Sequence, residues 1–430
     1  MHLPLLQIEP ERDPMLPSVF RHGAFTTLWL GRILTNIATL IQSVAIGWLV
    51  YTLARQTHNE QYSMFLVGMV GLAQFAPMFL LALLAGETAD RYDKRVILLC
   101  CGLLQSACAA GFSFLAMQPA VSLGLLFVVA GFFGVARAFG SPALFSVLPA
   151  LVPRDELPRA IAFNTLSVQV GMIAGPWAGG ILCALSPVLA TATSCLIYLM
   201  AALAWGVLLR LPVKARSAPS AGMSRLTMIR EGLRHLWGSK VVLGAISLDL
   251  FAVLLGGVTA LLPAYAKDVL HIGPEGFGNL RSAFAVGAGA TTLALALRPL
   301  NRNAGRWMLG SVALYGIATL LFALSRQTGW SMLALAVAGC ADSVSVFMRQ
   351  NLVQLLTPDA MRGRVASVSG LFVSASNELG EFESGVAARL LGVIGAAVFG
   401  GLGSVMVTAL WAKIFPALRT TDRLTPAARE

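Results

Sequence analysis

Charged residues are scarce in this 430-residue chain, and their scarcity excludes an ordinary soluble protein. They make up 12% of the sequence, whereas 57% is hydrophobic and the mean hydropathy is +0.76. A typical soluble domain carries about 25% charged residues. The apolar residues come in runs of about 20, which is the length that crosses a bilayer as a helix. The sequence therefore predicts an all-α integral membrane protein.

The sequence also lacks the motifs of common hydrolases, metalloenzymes and nucleotide-binding proteins. No H-E-x-x-H, G-x-S-x-G or Walker A pattern is present. The histidines lie in tails, loops or the central hydrophilic stretch: His2, His22, His58, His235 and His271. We therefore expect neither an enzyme nor a protein with a cofactor or a resident metal. With no ATP site, transport would have to use an ion gradient.

C-x-x-C spacing and a signal-peptide pattern are also absent from the sequence. The six cysteines lie within or at the ends of apolar runs, without C-x-x-C spacing, which predicts free and buried thiols. Residues 1–23 are polar and carry no signal-peptide pattern, so the first span is expected to stay uncleaved.

What the chain does contain is twelve apolar runs of membrane length. They are predicted at 24–52, 64–85, 96–117, 121–142, 159–183, 187–210, 241–265, 278–297, 307–325, 331–353, 365–388 and 393–415. The predicted domains are a tail (1–23), a six-helix bundle (24–210), a linker with an amphipathic surface helix (211–240), a second six-helix bundle (241–415) and a tail (416–430).

Cations are distributed unevenly between the two sets of segments that alternate along the chain. Of the 31 Lys and Arg residues, 23 lie in one set, which includes both tails, and four lie within the spans. The other set holds only Arg55, Lys267, Arg326 and Arg389. This asymmetry predicts that both termini are cytoplasmic. The net charge of +11 then reflects topology, and no nucleic-acid partner is expected.

The two halves of the chain repeat at an offset of 205 residues. The matched pairs are Pro153 with Pro358, Arg159 with Arg364, Leu166 with Leu371, Gly175 with Gly380 and Gly180 with Gly385. Spans 5 and 11 are therefore expected to be equivalent helices of two parallel copies.

A dense charged segment, residues 86–95, follows span 2. It begins at Gly86 and contains Asp90, Arg91, Lys94 and Arg95. The segment resembles the loop between helices 2 and 3 of the major facilitator superfamily, G-x-x-x-D-R-x-G-R-[KR], although Asp93-Lys94 stands where that family often has Gly-Arg. The resemblance implies a cytoplasmic gate whose charges lock one conformation and release in the other. The alternative is that these charges only fix orientation.

A reduced copy of the segment lies between spans 8 and 9. It keeps Arg302 and Arg306, but Asn301 replaces the first acid. The gate is therefore predicted to be asymmetric.

Further segments resemble the enterobactin-exporter-like branch of that superfamily, known as transmembrane secretion effectors. They are LPALVPRDEL at 148–157, the stretch 160–180, the stretch 352–365 and NELGEFESG at 377–385. The similarity extends from Phe20 over nearly the whole chain. It implies export of siderophores or other amphiphilic small molecules.

Ionisable residues inside the spans need an explanation, because each costs several kcal/mol unless it is paired or hydrated. The candidates for a substrate or proton site, with neighbouring amides, are Arg32, Asn36, Arg137, Asp249, Arg281, Asp342, Arg349, Asn377, Glu378 and Glu381. The alternative is that they form structural ion pairs between helices. Arg137 and Asp342 occupy equivalent positions at the 205-residue offset, with opposite charges.

Glu378 and Glu381 are the strongest candidates for proton coupling. They share a helix face with Ser374 and Asn377. Two carboxylates this close cannot both ionise cheaply in a low dielectric, which suits a group that takes and releases a proton. The competing hypothesis is salt bridges to Arg349, Arg281 or Arg137. Glu383 is expected to be structural, and Asp249 is expected to pair with Arg281.

These features together predict a secondary transporter that works by alternating access. Proton-coupled export of a siderophore-like or drug-like molecule is favoured, and uptake of a small molecule or a non-transporting receptor with the same fold are the alternatives. The expected setting is the bacterial inner membrane, the coupling ion a proton or another ion, and the working unit a monomer.

Overall fold

Long helices account for most of the chain that the structure describes. A computed structural model describes residues 18–118, 121–153, 155–211, 225–298, 300, 302–358 and 361–420. The helices are α1 (Gly23–Thr57), α2 (Glu60–Leu80), α3 (Ala82–Arg91), α4 (Lys94–Ala116), α5 (Leu123–Leu151), α6 (Leu157–Leu185), α7 (Pro187–Arg210), α8 (Arg225–Gly238), α9 (Lys240–Leu255), α10 (Val258–Ala264), α11 (Gly273–Leu297), α12 (Ala304–Leu324), α13 (Thr328–Leu356), α14 (Arg362–Ile414) and α15 (Pro416–Thr420). A 3₁₀ turn, Ser18–Arg21, precedes α1, and a π-helical segment, Tyr265–Val269, follows α10. Part of the predicted linker, residues 212–224, lies outside the described residues.

Polar residues at helix starts fix where several helices begin. The side chain of Asn59 accepts a hydrogen bond from the backbone N–H of Tyr62 at 2.9 Å and caps α2. Asp93 caps α4, and Ser186 caps α7, whose first residue is a proline. Each of these capping residues lies between two apolar runs, so one helix ends before it and the next begins after it.

The predicted twelve spans appear as eleven apolar helices of membrane length in the described residues, because α14 contains two of them. Its backbone leaves the helical conformation at Gly392, where φ is 76° and ψ is 167°. Val368, before this break, packs with Ile246, and Trp411, after it, donates a hydrogen bond to Ser247. The chain therefore returns along α9 after Gly392. The all-α architecture of twelve spans is confirmed, with two spans joined directly at a glycine.

Close glycine contacts join the first half of the chain (α1–α7) to the second (α8–α15) at two places. A Cβ atom on Gly180 of α6 would lie 2.9 Å from the Cα of Gly278 in α11. A Cβ atom on Gly385 of α14 would lie 3.0 Å from the Cα of Gly68 in α2. Gly180 and Gly385 are one of the pairs matched at the 205-residue offset, so the repeat places the same contact twice between the halves.

The two ends of the bundle differ in charge and in packing. We call the end that carries residues 86–95 the basic end, and the opposite end, at residues 57–60, 185–187 and 269–273, the far end. Toward the far end one apolar cluster joins the halves, with Val44 and Tyr51 of α1 packed among Leu262 and Ala388 of the second half. Near the basic end the described apolar clusters each belong to a single half. Apolar burial therefore closes the interface between the halves at the far end.

Candidate substrate and proton site

An ion pair joins the two halves near the middle of the bundle. The Nη2 atom of Arg137 in α5 lies 2.7 Å from Oε1 of Glu378 in α14. The Nη1 atom of Arg137 also donates to Oε1 of Gln74 in α2 at 3.2 Å. Of the three arginines considered as partners, Arg137 is therefore the one that pairs with Glu378.

Arg281 and Glu381 line a small cavity beside this pair. Arg281 of α11 donates from Nη1 to Oγ of Ser43 in α1 at 2.9 Å, so it also reaches across the halves. Glu381 lies one turn after Glu378 on α14 and lines the same cavity as Arg281, Ser43 and Gln74. The ion pairs formed by described residues do not include Glu381.

We call Arg137, Arg281, Glu378 and Glu381 the central cluster. Its two arginines and two glutamates carry equal and opposite formal charge. The side chain of Arg137 is 32% exposed and that of Glu378 is 11% exposed, although both lie deep in the bundle. Because the two side chains belong to different halves, the pair lies at the boundary between the halves. Ionisable groups persist inside a membrane when they are paired or face a water-filled cavity. A carboxylate in such a place can take up a proton or accept a hydrogen bond from a ligand.

A second charged cluster lies wholly within the second half. Arg349 of α13 lies with its Nε 3.2 Å from Oδ2 of Asp249 in α9, and the two side chains are 5% and 6% exposed. Asp342, two turns earlier on α13, is half-buried and within electrostatic reach of both. The predicted pairing of Asp249 with Arg281 is wrong, because Arg281 reaches α1 instead. Arg137 and Asp342, matched by the repeat, belong to separate clusters.

Several predicted site residues lie apart from the central cluster. Arg32 and Asn36 precede Ser43 on α1, and Arg32 lies about 16 Å nearer the basic end by the helical rise. Asn377 is exposed. The side chain of Ser374 lies outside the described residues. Glu383, expected to be structural, is half-buried and takes part in no described ion pair.

The described polar contacts of the charged segment at 86–95 lie within the first half. Arg91 forms an ion pair with Glu87 one turn earlier. Arg95 pairs with Asp93 at 2.8 Å and donates to the backbone oxygen of Leu211 at 3.1 Å. Hydrogen bonds from Arg95 lower the pKa of the Asp93 carboxyl. The described polar contacts of the segment thus do not reach the second half.

The other described residues of the predicted gate form no ion pair or side-chain hydrogen bond with the second half, although the backbone of α3 comes close to that of α8. Gly86 is buried in α3, and Lys94 is half-buried in the first turn of α4. The side chain of Asp90 lies outside the described residues, as does Asn301 of the reduced copy. Arg302 and Arg306 are exposed.

A cross-half contact that the sequence did not predict lies at the far end. The hydroxyl of Tyr51 donates to Oδ2 of Asp268, and Nε of Arg55 donates to the same oxygen at 3.2 Å. The ammonium of Lys267 lies 5.9 Å from the centre of the Tyr51 ring. We call Tyr51, Arg55 and Asp268 the far-end latch. The sequence offered one signal for this contact, which is the rarity of cations in this set of segments. Arg55 and Lys267 are two of only four cations there.

Comparison with known proteins assigns this chain to a family. The sequence profile described as transmembrane secretion effector matches residues 16–429. The chain belongs to the transmembrane secretion effector family.

Two enterobactin exporters are similar to this chain over most of its length. An enterobactin exporter, EntS, of Escherichia coli O1:K1 / APEC is 30% identical over 397 residues, which is 90% of this chain and 86% of that protein. EntS of Shigella boydii serotype 4 is 29% identical over 392 residues, with the same coverage.

Solved structures show the same fold at low sequence identity. A bacterial homologue of the human lysosomal transporter spinster, inward-facing and unoccupied, is 14% identical with a TM-score of 0.69, covering 92% of this chain and 96% of its own. An inward-facing bacterial homologue of the iron transporter ferroportin is 19% identical with a TM-score of 0.66, covering 92% and 100%.

Membership in the transmembrane secretion effector family confirms the resemblance to the major facilitator superfamily. The family consists of transporters, so the chain is not an enzyme, and it is a multi-pass bacterial inner membrane protein that handles a small molecule.

Proposed function

We propose that this protein is a secondary active transporter that exports a siderophore-like or amphiphilic small molecule in exchange for protons. The enterobactin exporters, 29–30% identical over 90% of the chain, support a siderophore-like substrate. The observation that carries the proposal is the balanced cluster of Arg137, Glu378, Arg281 and Glu381 between the halves. It places titratable carboxylates where a substrate would bind and where the halves meet.

The cluster suits alternating access because its contacts cross the interface. Arg137 reaches Glu378, and Arg281 reaches Ser43, so a change at either glutamate alters how the halves are held together. With the far end closed, a substrate would enter from the basic end. We propose that the basic end and both termini are cytoplasmic, which makes that direction export, and that the monomer is the transporting unit.

Flux measurements in proteoliposomes test this function. Protein reconstituted with the basic end outward would be given enterobactin outside and a lumen more acidic than the medium. We expect accumulation of enterobactin that collapses when a protonophore removes the gradient. Glu378→Gln and Glu381→Gln should reduce the gradient-driven component, whereas Glu383→Gln on the same helix should retain it. Accumulation that is indifferent to the gradient would refute proton coupling, and accumulation only under the reversed gradient would indicate uptake.

A further inference from the structure

We propose that substrate and proton compete for the Glu381 carboxylate, and that the substrate binds it through a hydrogen-bond donor. The donor would be a phenolic hydroxyl or an ammonium group. This inference rests on the proposed function and assigns different roles to two glutamates that the sequence treats alike.

The contacts of the two glutamates separate their roles. Glu378 is held by Arg137 at 2.7 Å, so its carboxylate already has a charged partner from the other half. Glu381 faces the cavity and takes part in no ion pair among the described residues. The carboxylate available to a ligand is therefore that of Glu381.

The surroundings of Glu381 contain few other groups that can titrate. Arg137 of α5 and Arg281 of α11 lie within electrostatic reach, as does Glu378 on its own helix. The described parts of α2 and α10 that line the cavity offer the amide of Gln74 and the hydroxyl of Thr259, neither of which ionises. Both arginines stay charged in proteins, so the glutamates are the groups that change.

This charge balance decides which kind of substrate can exchange with protons. A donor binds the ionised carboxylate much more strongly than the protonated carboxyl group, so donor and proton oppose one another, as exchange requires. An anion would behave in the opposite way. The two arginines are already balanced by two glutamates, so an anion would bind best after a glutamate had been protonated, and substrate and proton would travel together. Linkage makes either effect reciprocal.

The remaining polar and apolar walls fit a donor attached to a hydrophobic body. The Arg281 guanidinium and the Ser43 hydroxyl can satisfy acceptor atoms next to the donor. Val67, Val70 and Phe277 supply apolar surface to the same cavity.

Binding to the purified full-length protein tests the proposal. Titration calorimetry at pH 6 and pH 8 would use enterobactin as the phenolic donor, its fully O-methylated derivative as the matched ligand without donors, and 2-phenylethylammonium as the ammonium donor. Repeating each titration in two buffers of different ionisation enthalpy counts the protons released. We expect release of up to one proton per bound donor, and affinity that rises correspondingly by up to about 100-fold from pH 6 to pH 8. The O-methylated derivative should bind at least about tenfold more weakly than enterobactin.

Variants on the same helix make the assignment specific. Glu381→Gln should abolish the pH dependence and the proton release, Glu381→Asp should retain both, and Glu383→Gln should behave as the wild type. If Glu381→Gln does not fold, the Asp variant and the ligand pair still decide the matter.

Several outcomes would overturn the proposal. They are tighter binding at pH 6, equal binding of the O-methylated ligand, persistence of the pH dependence in Glu381→Gln, or no binding of either donor. The proposed function fails separately: competition at Glu381 without gradient-driven flux would remove the transport proposal and leave this inference in place.

Discussion

The far end and the basic end of the bundle use charge in opposite ways. At the far end, where cations are rare, Tyr51 and Arg55 of one half converge on Asp268 of the other. At the basic end, where cations are abundant, the described ion pairs and hydrogen bonds of Arg91 and Arg95 stay within the first half. The density of charge along the sequence therefore does not tell which charges hold the halves together.

The burial of apolar side chains also differs between the far end and the basic end. The apolar cluster around Tyr51 includes residues of both halves, whereas the described clusters near the basic end are each confined to one. A charged pair that crosses the interface should affect the balance between conformations, and a pair within one half should affect the stability of that half. The following variants test this distinction.

The largest effect is expected from Arg349→Met, which breaks a pair within the second half. It would leave the carboxylate of Asp249, in a side chain only 6% exposed, without its cation. We expect a loss of about 3–5 kcal/mol in the free energy of unfolding, measured by denaturant titration in detergent micelles. The double variant Asp249→Leu/Arg349→Met should recover much of this loss, because apolar replacement removes both buried charges.

The distance between the halves should be unchanged in the Arg349→Met protein that remains folded. It can be measured by double electron–electron resonance with labels on unnatural amino acids at positions 57 and 275, since the chain has six native cysteines. A change in that distance without loss of stability would contradict the division between the two kinds of pair.

The next effect is expected from Asp268→Asn, which weakens the far-end latch. The amide keeps one acceptor but loses the charge that holds Arg55, and a hydrogen bond to a charged group contributes about 1.5–3 kcal/mol. A loss of about 2 kcal/mol shifts the equilibrium toward an open far end by roughly thirtyfold. The label pair at 57 and 275 should report a longer distance. Glu87→Gln, which removes the local partner of Arg91 at the basic end, is the matched control and should leave the distance unchanged.

The fold could be predicted well from the sequence because the signals for membrane-spanning helices are local in the sequence. Apolar runs set the spans, and matched residues such as Gly180 and Gly385 reported a real equivalence. The joining of two spans at Gly392 was missed, because a single glycine between apolar runs does not look different from one inside a helix. The glutamates of α14 and Arg137 were predicted as candidates, but the choice of partner depends on how helices rotate and pack. The latch was missed because its members are more than 200 residues apart, in segments without a motif.

A smaller effect is expected from Gly278→Ala, which tests packing at the far-end interface without altering charge. The added Cβ would lie 2.4 Å from the backbone oxygen of Pro176, so the halves must move apart. Overpacking of this kind costs about 1–2 kcal/mol, and it should favour the open far end in the same distance measurement. Gly370→Ala is the matched control, since nothing lies within 4 Å of its Cβ position. Equal effects of the two variants would show that the far-end interface is not tightly packed.

The smallest effect is expected from Asp93→Asn at the basic end, which removes a charge and keeps an acceptor for the helix cap. Arg95 lowers the pKa of Asp93, so the ionised carboxylate stabilises the folded protein at neutral pH and loses that effect as the pH falls through the lowered value. The side chain is 43% exposed and solvent screens the pair, so the variant should lose only about 0.2–1 kcal/mol at pH 7. Thermal unfolding at pH 7 and pH 3 should show this difference shrinking at the lower pH. Because the pair lies within one half, the distance between the labels at positions 57 and 275 should stay that of the wild type. A shift in this distance as large as that caused by Asp268→Asn would mean that the basic end also holds the halves together.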